Sequence, residues 1–210
     1  MNKDRLLFLI KSFLLVILIF VLQKILFMLY YHEIYQHYSF VEYLQVLLNG
    51  LQHDASIAGY LLVIPGFMII TSFWTNNKVL KIVAIVYASI IAFIIAFVFV
   101  LDLILYKYWE FKLDSTPFFY ITSPSNALAS TSWLQNVSGI LAVVLITAGL
   151  CFIFNKFLLL KSSCESSWKL RLAGSFVVLV ETTLLFLPIR GGFKESTMNV
   201  GKVYFSNELV

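Results

Sequence analysis

Five long apolar segments are the feature that most constrains how this chain can fold. A helix that crosses the roughly 30 Å hydrocarbon core of a bilayer needs about 20 mostly apolar residues. With 60% hydrophobic and 12% charged residues in 210, the chain has too much apolar surface for a water-soluble fold of this size. Backbone polar groups in lipid must be satisfied within their own segment, which favours helices. The predicted spans cover about residues 6–31, 55–74, 79–106, 137–160 and 170–189.

These segments predict an all-α integral membrane protein, a bundle of five transmembrane helices. Residues 1–189 form the membrane domain, and residues 190–210 form an extracytoplasmic linker. The first apolar run is too long for the hydrophobic part of a signal peptide and no small-residue cleavage site follows it, which predicts a retained first span.

The distribution of charge predicts the orientation. The connections after the second and fourth spans are short and basic. The connections over residues 32–54 and 107–136 are long and carry five acidic residues against two lysines. Because basic residues concentrate on the cytoplasmic side, the N-terminus is predicted inside and the C-terminus outside. An odd number of spans places the two termini on opposite sides, which agrees with this orientation.

The long outer connections contain candidate interfacial helices. Residues 40–48 place apolar side chains at helical spacing, and Asn49-Gly50 is typical of a helix C-cap. The segment is too short to span, so we expect a separate helix that lies in the outer interface. Residues 125–133 are a second, weaker candidate.

Ionisable residues near or within the spans are the candidate site residues, because charge at membrane depth is costly. Asp54, Asp102 and Arg190 are expected at the outer ends of the second, third and fifth spans. For Asp54, a place at the start of a helix would complement the helix dipole. Asp102 lies near a helix C-terminus and needs a cationic partner, either Arg190 or Lys107. Each side chain is interpreted either as a structural polar group or as a contact for a lipid headgroup.

Two more acidic residues complete this set. Glu181 lies about 13 Å deeper in its span than Arg190, at 1.5 Å per residue. It is interpreted either as a carboxyl group hydrogen-bonded to Thr182 or to another helix, or as the lining of a headgroup site or proton path. Asp114, in the second long outer connection, has the same structural or headgroup alternatives.

No catalytic, cofactor or metal site emerges from the residues. The three histidines, His32, His37 and His53, lack the i, i+4 spacing of a helical metal site. No nucleophile elbow or phosphate-binding loop is present in the sequence. Cys151 and Cys164 are predicted in different environments, which argues against a disulfide. The basic residues are dispersed, which argues against a nucleic-acid partner.

Several segments together resemble a known family. They are residues 52–62 (QHDASIAGYLL), Asp102 with residues 106–117 (YKYWEFKLDSTP), residues 188–193 (PIRGGF) and residues 199–206 (NVGKVYFS). In these strings the chain resembles the N-terminal membrane domain of the lipoteichoic acid synthase-like proteins of the sulfatase/alkaline phosphatase superfamily. The resemblance extends over essentially the whole chain.

The resemblance implies five spanning helices in a bacterial cytoplasmic membrane, followed by an extracytoplasmic catalytic domain. That domain transfers or hydrolyses phosphate or sulfate esters with a Thr or Ser nucleophile and a divalent metal such as Mn²⁺. None of those residues corresponds to a position in this sequence. The implied role of the chain is to anchor the enzyme and present lipid to it, with membrane lipids and its own C-terminal catalytic domain as partners.

The alternative is a self-contained membrane protein that acts as a transporter or an assembly partner. Five helices do not divide into inverted repeats, and no pair of broken helices is evident, which argues against a transporter.

Overall fold

The fold is helical throughout the part of the chain that the computed structural model describes, residues 3–75, 78–110, 112, 132–157 and 167–192. The helices along these ranges are α1 (Lys3–Leu6), α2 (Phe8–Tyr30), α3 (His32–Tyr35), α4 (Phe40–Trp74), α5 (Lys78–Trp109), α6 (Trp133–Phe157), α7 (Trp168–Leu184) and α8 (Phe186–Arg190). The prediction of an all-α chain is confirmed for these residues.

Five segments are long and apolar enough to cross a membrane: Phe8–Tyr30, Phe40–Trp74, Lys78–Tyr108, Trp133–Phe157 and Trp168–Arg190. The predicted number of spans is confirmed. Residues 158–160 of the predicted fourth span, the candidate interfacial helix up to residue 131 and the linker beyond residue 192 lie outside the described residues. The orientation of the two termini stays a prediction.

The helix that contains the second span begins much earlier than the predicted span. α4 starts with a capping box, in which Ser39 N–H donates to the Glu42 carboxylate at 2.7 Å and Glu42 N–H donates to Ser39 Oγ at 3.4 Å. The helix then continues for 35 residues to Trp74. The prediction of a separate helix over residues 40–48, capped at Asn49-Gly50, is therefore wrong. A glycine inside a helix costs only about 1 kcal/mol, which packing against a neighbouring helix can offset.

The fifth span has a break near its end. α7 ends at Leu184 and α8 begins at Phe186, with Leu185 between them. Pro188 explains the interruption, because it has no N–H to donate to the carbonyl four residues earlier and its ring crowds that carbonyl. The predicted end at residue 189 is one residue short, since α8 continues to Arg190.

The chain divides into two compact units, Met1–Val86 with Phe157–Val210, and Tyr87–Lys156. In the first unit, α4 contacts both α2 and the α7–α8 pair. A buried apolar cluster joins these helices; its members are Leu9, Leu62, Ile69, Phe73, Val178 and Leu185. α4 is therefore the helix on which the first unit is assembled.

Glycines bring α4 and α7–α8 close together. A Cβ at Gly59 would lie 2.8 Å from Ile189 Cγ1, and a Cβ at Gly66 would lie 2.8 Å from Thr182 Cγ2. Gly174 on α7 meets the Phe73 ring in the same way. Without a hydrophobic driving force between helices in lipid, association depends on such close packing and on polar contacts.

Polar contacts also join the helices of the first unit near the C-terminus of α4. The buried Arg5 guanidinium donates from Nη1 to the Ser72 carbonyl at 3.3 Å and lies 5.1 Å from the Phe73 ring centroid. Trp74 Nε1–H donates to Ser175 Oγ at 2.8 Å. Because Ser72 lies in the last turn of α4, Arg5 satisfies a carbonyl that the helix itself leaves open.

The second unit contains residues 87–109 of α5 together with α6. These two helices also approach through a glycine, since a Cβ at Gly139 would lie 2.8 Å from Ile104 Cδ1. The Tyr108 hydroxyl donates to Gln135 Oε1 at 2.9 Å near the start of α6.

Candidate functional site

A buried ion pair lies between α2 and α4. Lys24 Nζ donates to Asp54 Oδ2. Asp54 is only 4% exposed, and the Lys24 side chain is 17% exposed. Since a buried carboxylate without a cation would be strongly unfavourable, the Lys24 ammonium group stabilises the charged form of Asp54 at this position. We call this end of the first unit, which also contains the C-terminus of α8, the Asp54 end.

The ion pair replaces the explanation that the sequence suggested for Asp54. Asp54 was predicted at the start of a helix, where the dipole would stabilise it. In the structure it lies fourteen residues after Phe40, the first residue of α4, well beyond the first turn in which the dipole acts. That interpretation is therefore wrong.

Gly50 makes room for the lysine. It lies one turn before Asp54 on α4, and a Cβ built there would overlap Lys24 Nζ and lie 2.8 Å from Lys24 Cε. The lysine side chain therefore passes directly over the α4 backbone to reach Asp54. A role as helix C-cap was predicted for Gly50, and a close helix contact is what the structure shows.

The end of α8 is capped and held by α4. Gly191 has φ 88°, a left-handed conformation that favours glycine. Gly191 N–H donates to the Pro188 carbonyl at 3.0 Å and Gly192 N–H to the Leu187 carbonyl at 2.9 Å, which together form a Schellman motif.

Two side chains of α4 satisfy carbonyls at this helix end. Gln52 Nε2 donates to the Gly191 carbonyl at 2.7 Å, and Ser56 Oγ donates to the Ile189 carbonyl at 3.1 Å. These bonds join residues that are more than 130 positions apart in the sequence. Residues 52–56 of α4 and residues 189–191 therefore meet at the Asp54 end.

Arg190 is the exposed cation of this end. It is the last residue of α8, next to the Gly191 carbonyl that Gln52 holds. Asp54 and Arg190 thus belong to helices that meet at the same end of the first unit, and their predicted role as headgroup contacts stays a prediction. The polar groups of the Asp54 end are the Lys24–Asp54 pair, the exposed Arg190 side chain, and the Gln52 and Ser56 side chains that donate to the carbonyls of Gly191 and Ile189.

The other predicted site residues lie elsewhere. Asp102 is half-buried in α5 within the second unit, and its grouping with Arg190 stays a prediction. Asp114 lies outside the described residues. Glu181 is half-buried on α7, and no described residue is hydrogen-bonded to its buried Oε2. The Thr182 hydroxyl donates instead to the Val178 carbonyl at 2.7 Å, so Thr182 is not the partner expected for Glu181.

The sequence interpretation missed Lys24, Gln52 and Ser56 as members of this end. The only signal in the sequence is a lysine seven residues before the end of a span, followed by an aspartate in the next connection. This spacing does not predict that the two residues form an ion pair. Among the described residues, no three His, Cys, Asp or Glu side chains are grouped so that they could bind a metal ion.

Comparison with known proteins adds no relative. No family model, no curated protein and no solved structure matches the chain.

Proposed function

We propose that this chain is the membrane anchor and lipid-presenting module of a lipoteichoic acid synthase-like phosphotransferase or sulfatase. In this proposal it lies in a bacterial cytoplasmic membrane, with the segment after α8 on the extracytoplasmic side. The metal and the nucleophile belong to a catalytic domain that follows this chain, and the chain itself contributes anchoring and headgroup binding.

The observation that carries the proposal is the arrangement of the Asp54 end. The Lys24–Asp54 pair, the exposed Arg190 and the point at which the chain leaves α8 all belong to it. A phosphate headgroup bound at Arg190 would therefore lie beside the start of the segment that leads to the catalytic domain. An arginine guanidinium forms bidentate hydrogen bonds with phosphate, which makes Arg190 better suited to this contact than Lys24.

Headgroup binding is tested with the purified chain in nanodiscs that contain a spin-labelled phosphatidylglycerol or a spin-labelled phosphatidylcholine. We expect a preference for the anionic lipid that Arg190→Gln reduces several-fold, since each basic side chain near an anionic surface contributes about 1 kcal/mol. Lys81→Gln is the matched control, because Lys81 is an exposed cation near the start of α5. An equal loss in both variants, or no preference in the parent chain, would contradict the proposal.

Topology and domain context are tested separately. Alkaline phosphatase fused after Val210 should be active, and the same enzyme fused after Ser163 should be inactive. The reading frame beyond the Val210 codon should continue into a domain with a Thr or Ser nucleophile and metal ligands. A frame that stops there supports the alternative, a self-contained membrane protein.

A further inference from the structure

Glu181 lies deep within the fifth span. The span runs over 23 residues from Trp168 to Arg190, which corresponds to about 34 Å at 1.5 Å per residue. Glu181 is about 20 Å from one end of this segment and about 13 Å from the other. Because the segment is only slightly longer than the roughly 30 Å hydrocarbon core that it crosses, Glu181 is inside that core.

The Glu181 carboxyl group is on the side of α7 that packs in the first unit. Gly174 and Val178 are buried residues of this side, and Glu181 follows them at steps of seven and three residues, which are close to whole turns. The side chain is half-buried, and no described residue is hydrogen-bonded to its buried Oε2 atom. Buried polar atoms are normally hydrogen-bonded, so this oxygen is an exception that requires an explanation.

The two hydroxyl groups that follow Glu181 are already used as donors. Thr182 Oγ1 donates to the Val178 carbonyl at 2.7 Å, and Thr183 Oγ1 donates to the Leu179 carbonyl at 2.8 Å. Their hydrogen atoms are therefore not available to a carboxylate, which can only accept hydrogen bonds. These neighbouring hydroxyl oxygens still have lone pairs, which suit a ligand that carries positive charge.

Carbonyl oxygens become available one turn further along the same helix. The Leu185 N–H donates to the Thr182 carbonyl at 3.2 Å, three residues back instead of four. Pro188 has no N–H to donate to the Leu184 carbonyl. Interrupted helices in membranes present such carbonyl oxygens to bound cations.

Among the described residues of α4, none provides a charge at the depth of Glu181. α4 approaches α7 at Gly66, where an added Cβ would lie against the Thr182 side chain. Residues 61–74 of α4 contain no titratable side chain. The nearest titratable residue, Tyr60, is 63% exposed and six residues from Gly66.

The charges of the other helices that contact α7 are distant from Glu181 along the bundle. The charged residues of α1 are Lys3, Asp4 and Arg5. The Arg5 guanidinium lies over the Phe73 ring, which meets Gly174, two turns before Glu181. Arg190 of α8 follows Glu181 by nine residues.

We propose that Glu181 is a binding site for a single positive charge inside the membrane, either a proton or a small monovalent cation. A carboxylate without a cation is strongly unfavourable in hydrocarbon, and the described helices supply no cation at its depth. A bound positive charge neutralises the carboxyl group and uses the acceptor oxygens beside it. The proposal does not rest on the proposed function, because it concerns α7 and not the Asp54 end.

Modification by N,N′-dicyclohexylcarbodiimide tests the site in the full chain in nanodiscs. This apolar reagent reacts with carboxyl groups that carry a proton. In choline chloride, whose cation is too bulky to bind, Glu181 should react at least about tenfold faster than Asp54, which Lys24 keeps ionised. Mass spectrometry of peptides locates the modified residue, and Glu181→Gln should abolish the signal.

The identity of the bound charge follows from the salt. Sodium chloride in place of choline chloride should slow the modification of Glu181 several-fold if sodium is the ligand. The rate should stay unchanged if the proton is the ligand. A rate at Glu181 no higher than at Asp54 in choline chloride would overturn the proposal, because the carboxyl group would then be ionised without either ligand.

A second measurement does not depend on access of the reagent. Glu181→Gln has nearly the same size as the parent residue and mimics its neutralised form, so it should unfold at the same SDS fraction as the parent chain. A clearly lower SDS fraction at the midpoint would mean that the negative charge of Glu181 is used in an ion pair within the protein, and the proposal would be wrong.

Discussion

Removal of one partner of the Lys24–Asp54 pair should destabilise the first unit strongly. Lys24→Met leaves the Asp54 carboxylate, 4% exposed, without its cation. Loss of one member of a buried ion pair costs about 3–5 kcal/mol. The 17% exposure of the Lys24 side chain allows some solvation of the site, so we expect a loss near the lower end, about 3 kcal/mol.

The double variant separates this effect from a loss of packing. Replacement of both partners by apolar residues of similar size, Lys24→Met with Asp54→Leu, removes the uncompensated charge and should recover most of the stability. The double variant compared with Lys24→Met and Asp54→Leu alone gives the coupling, which should be at least about 2 kcal/mol and of opposite sign to the single losses. Reversible unfolding in mixed micelles with increasing SDS, followed by circular dichroism, measures these free energies.

The control for the pair is Lys81→Met, which removes an exposed lysine near the start of α5 and should change the free energy of unfolding by less than about 0.5 kcal/mol. Additive losses in the double variant would refute the reasoning. They would mean that Lys24 and Asp54 contribute independently and that the pair does not decide whether Asp54 is charged.

Two further predictions concern the packing of α4. Gly66→Ala should weaken the contact with α7 and lower the free energy of unfolding by about 1–3 kcal/mol, because the added methyl group overpacks a close approach. The control is Gly149→Ala, because no atom lies within 4 Å of a Cβ at Gly149. In the same SDS titration it should be neutral or stabilising by up to about 1 kcal/mol. Arg5→Ala should cost about 1–3 kcal/mol because the Ser72 carbonyl loses a charged donor and the Phe73 ring loses its cation. Full recovery by Arg5→Lys in thermal denaturation would contradict a role for the guanidinium geometry.

The number of spans could be predicted from the sequence because hydrophobic length alone determines it. The five predicted apolar runs correspond to the five helices of the structure that are long enough to cross a membrane. The start of α4 could not be predicted in the same way. Residues 40–54 are too polar to count as part of a span, and Asn49-Gly50 resembles a helix end, so these local signals predicted two separate helices. In the structure, packing between α2 and α4 maintains a single continuous helix.

The contacts of the Asp54 end were beyond sequence reasoning for a related reason. Gln52 and Ser56 acquire partners only because α8 ends beside them, which depends on the break near Pro188 and on the Schellman motif at Gly191. The sequence indicated that Asp54 and Arg190 belong near one membrane surface. The sequence did not indicate that Lys24 is the partner of Asp54, because the two residues are thirty positions apart.

The glycine contacts between α4 and α7 have a mechanical consequence. α4 is joined to α7 by the hydrogen bond of Trp74 with Ser175 and to the end of α8 by that of Gln52 with Gly191, and it packs closely on α7 between them at Gly66. A slide of one helix past the other would break every one of these contacts together, since none can be re-formed one turn away. We therefore expect α4 and α7 to tilt in the bilayer together.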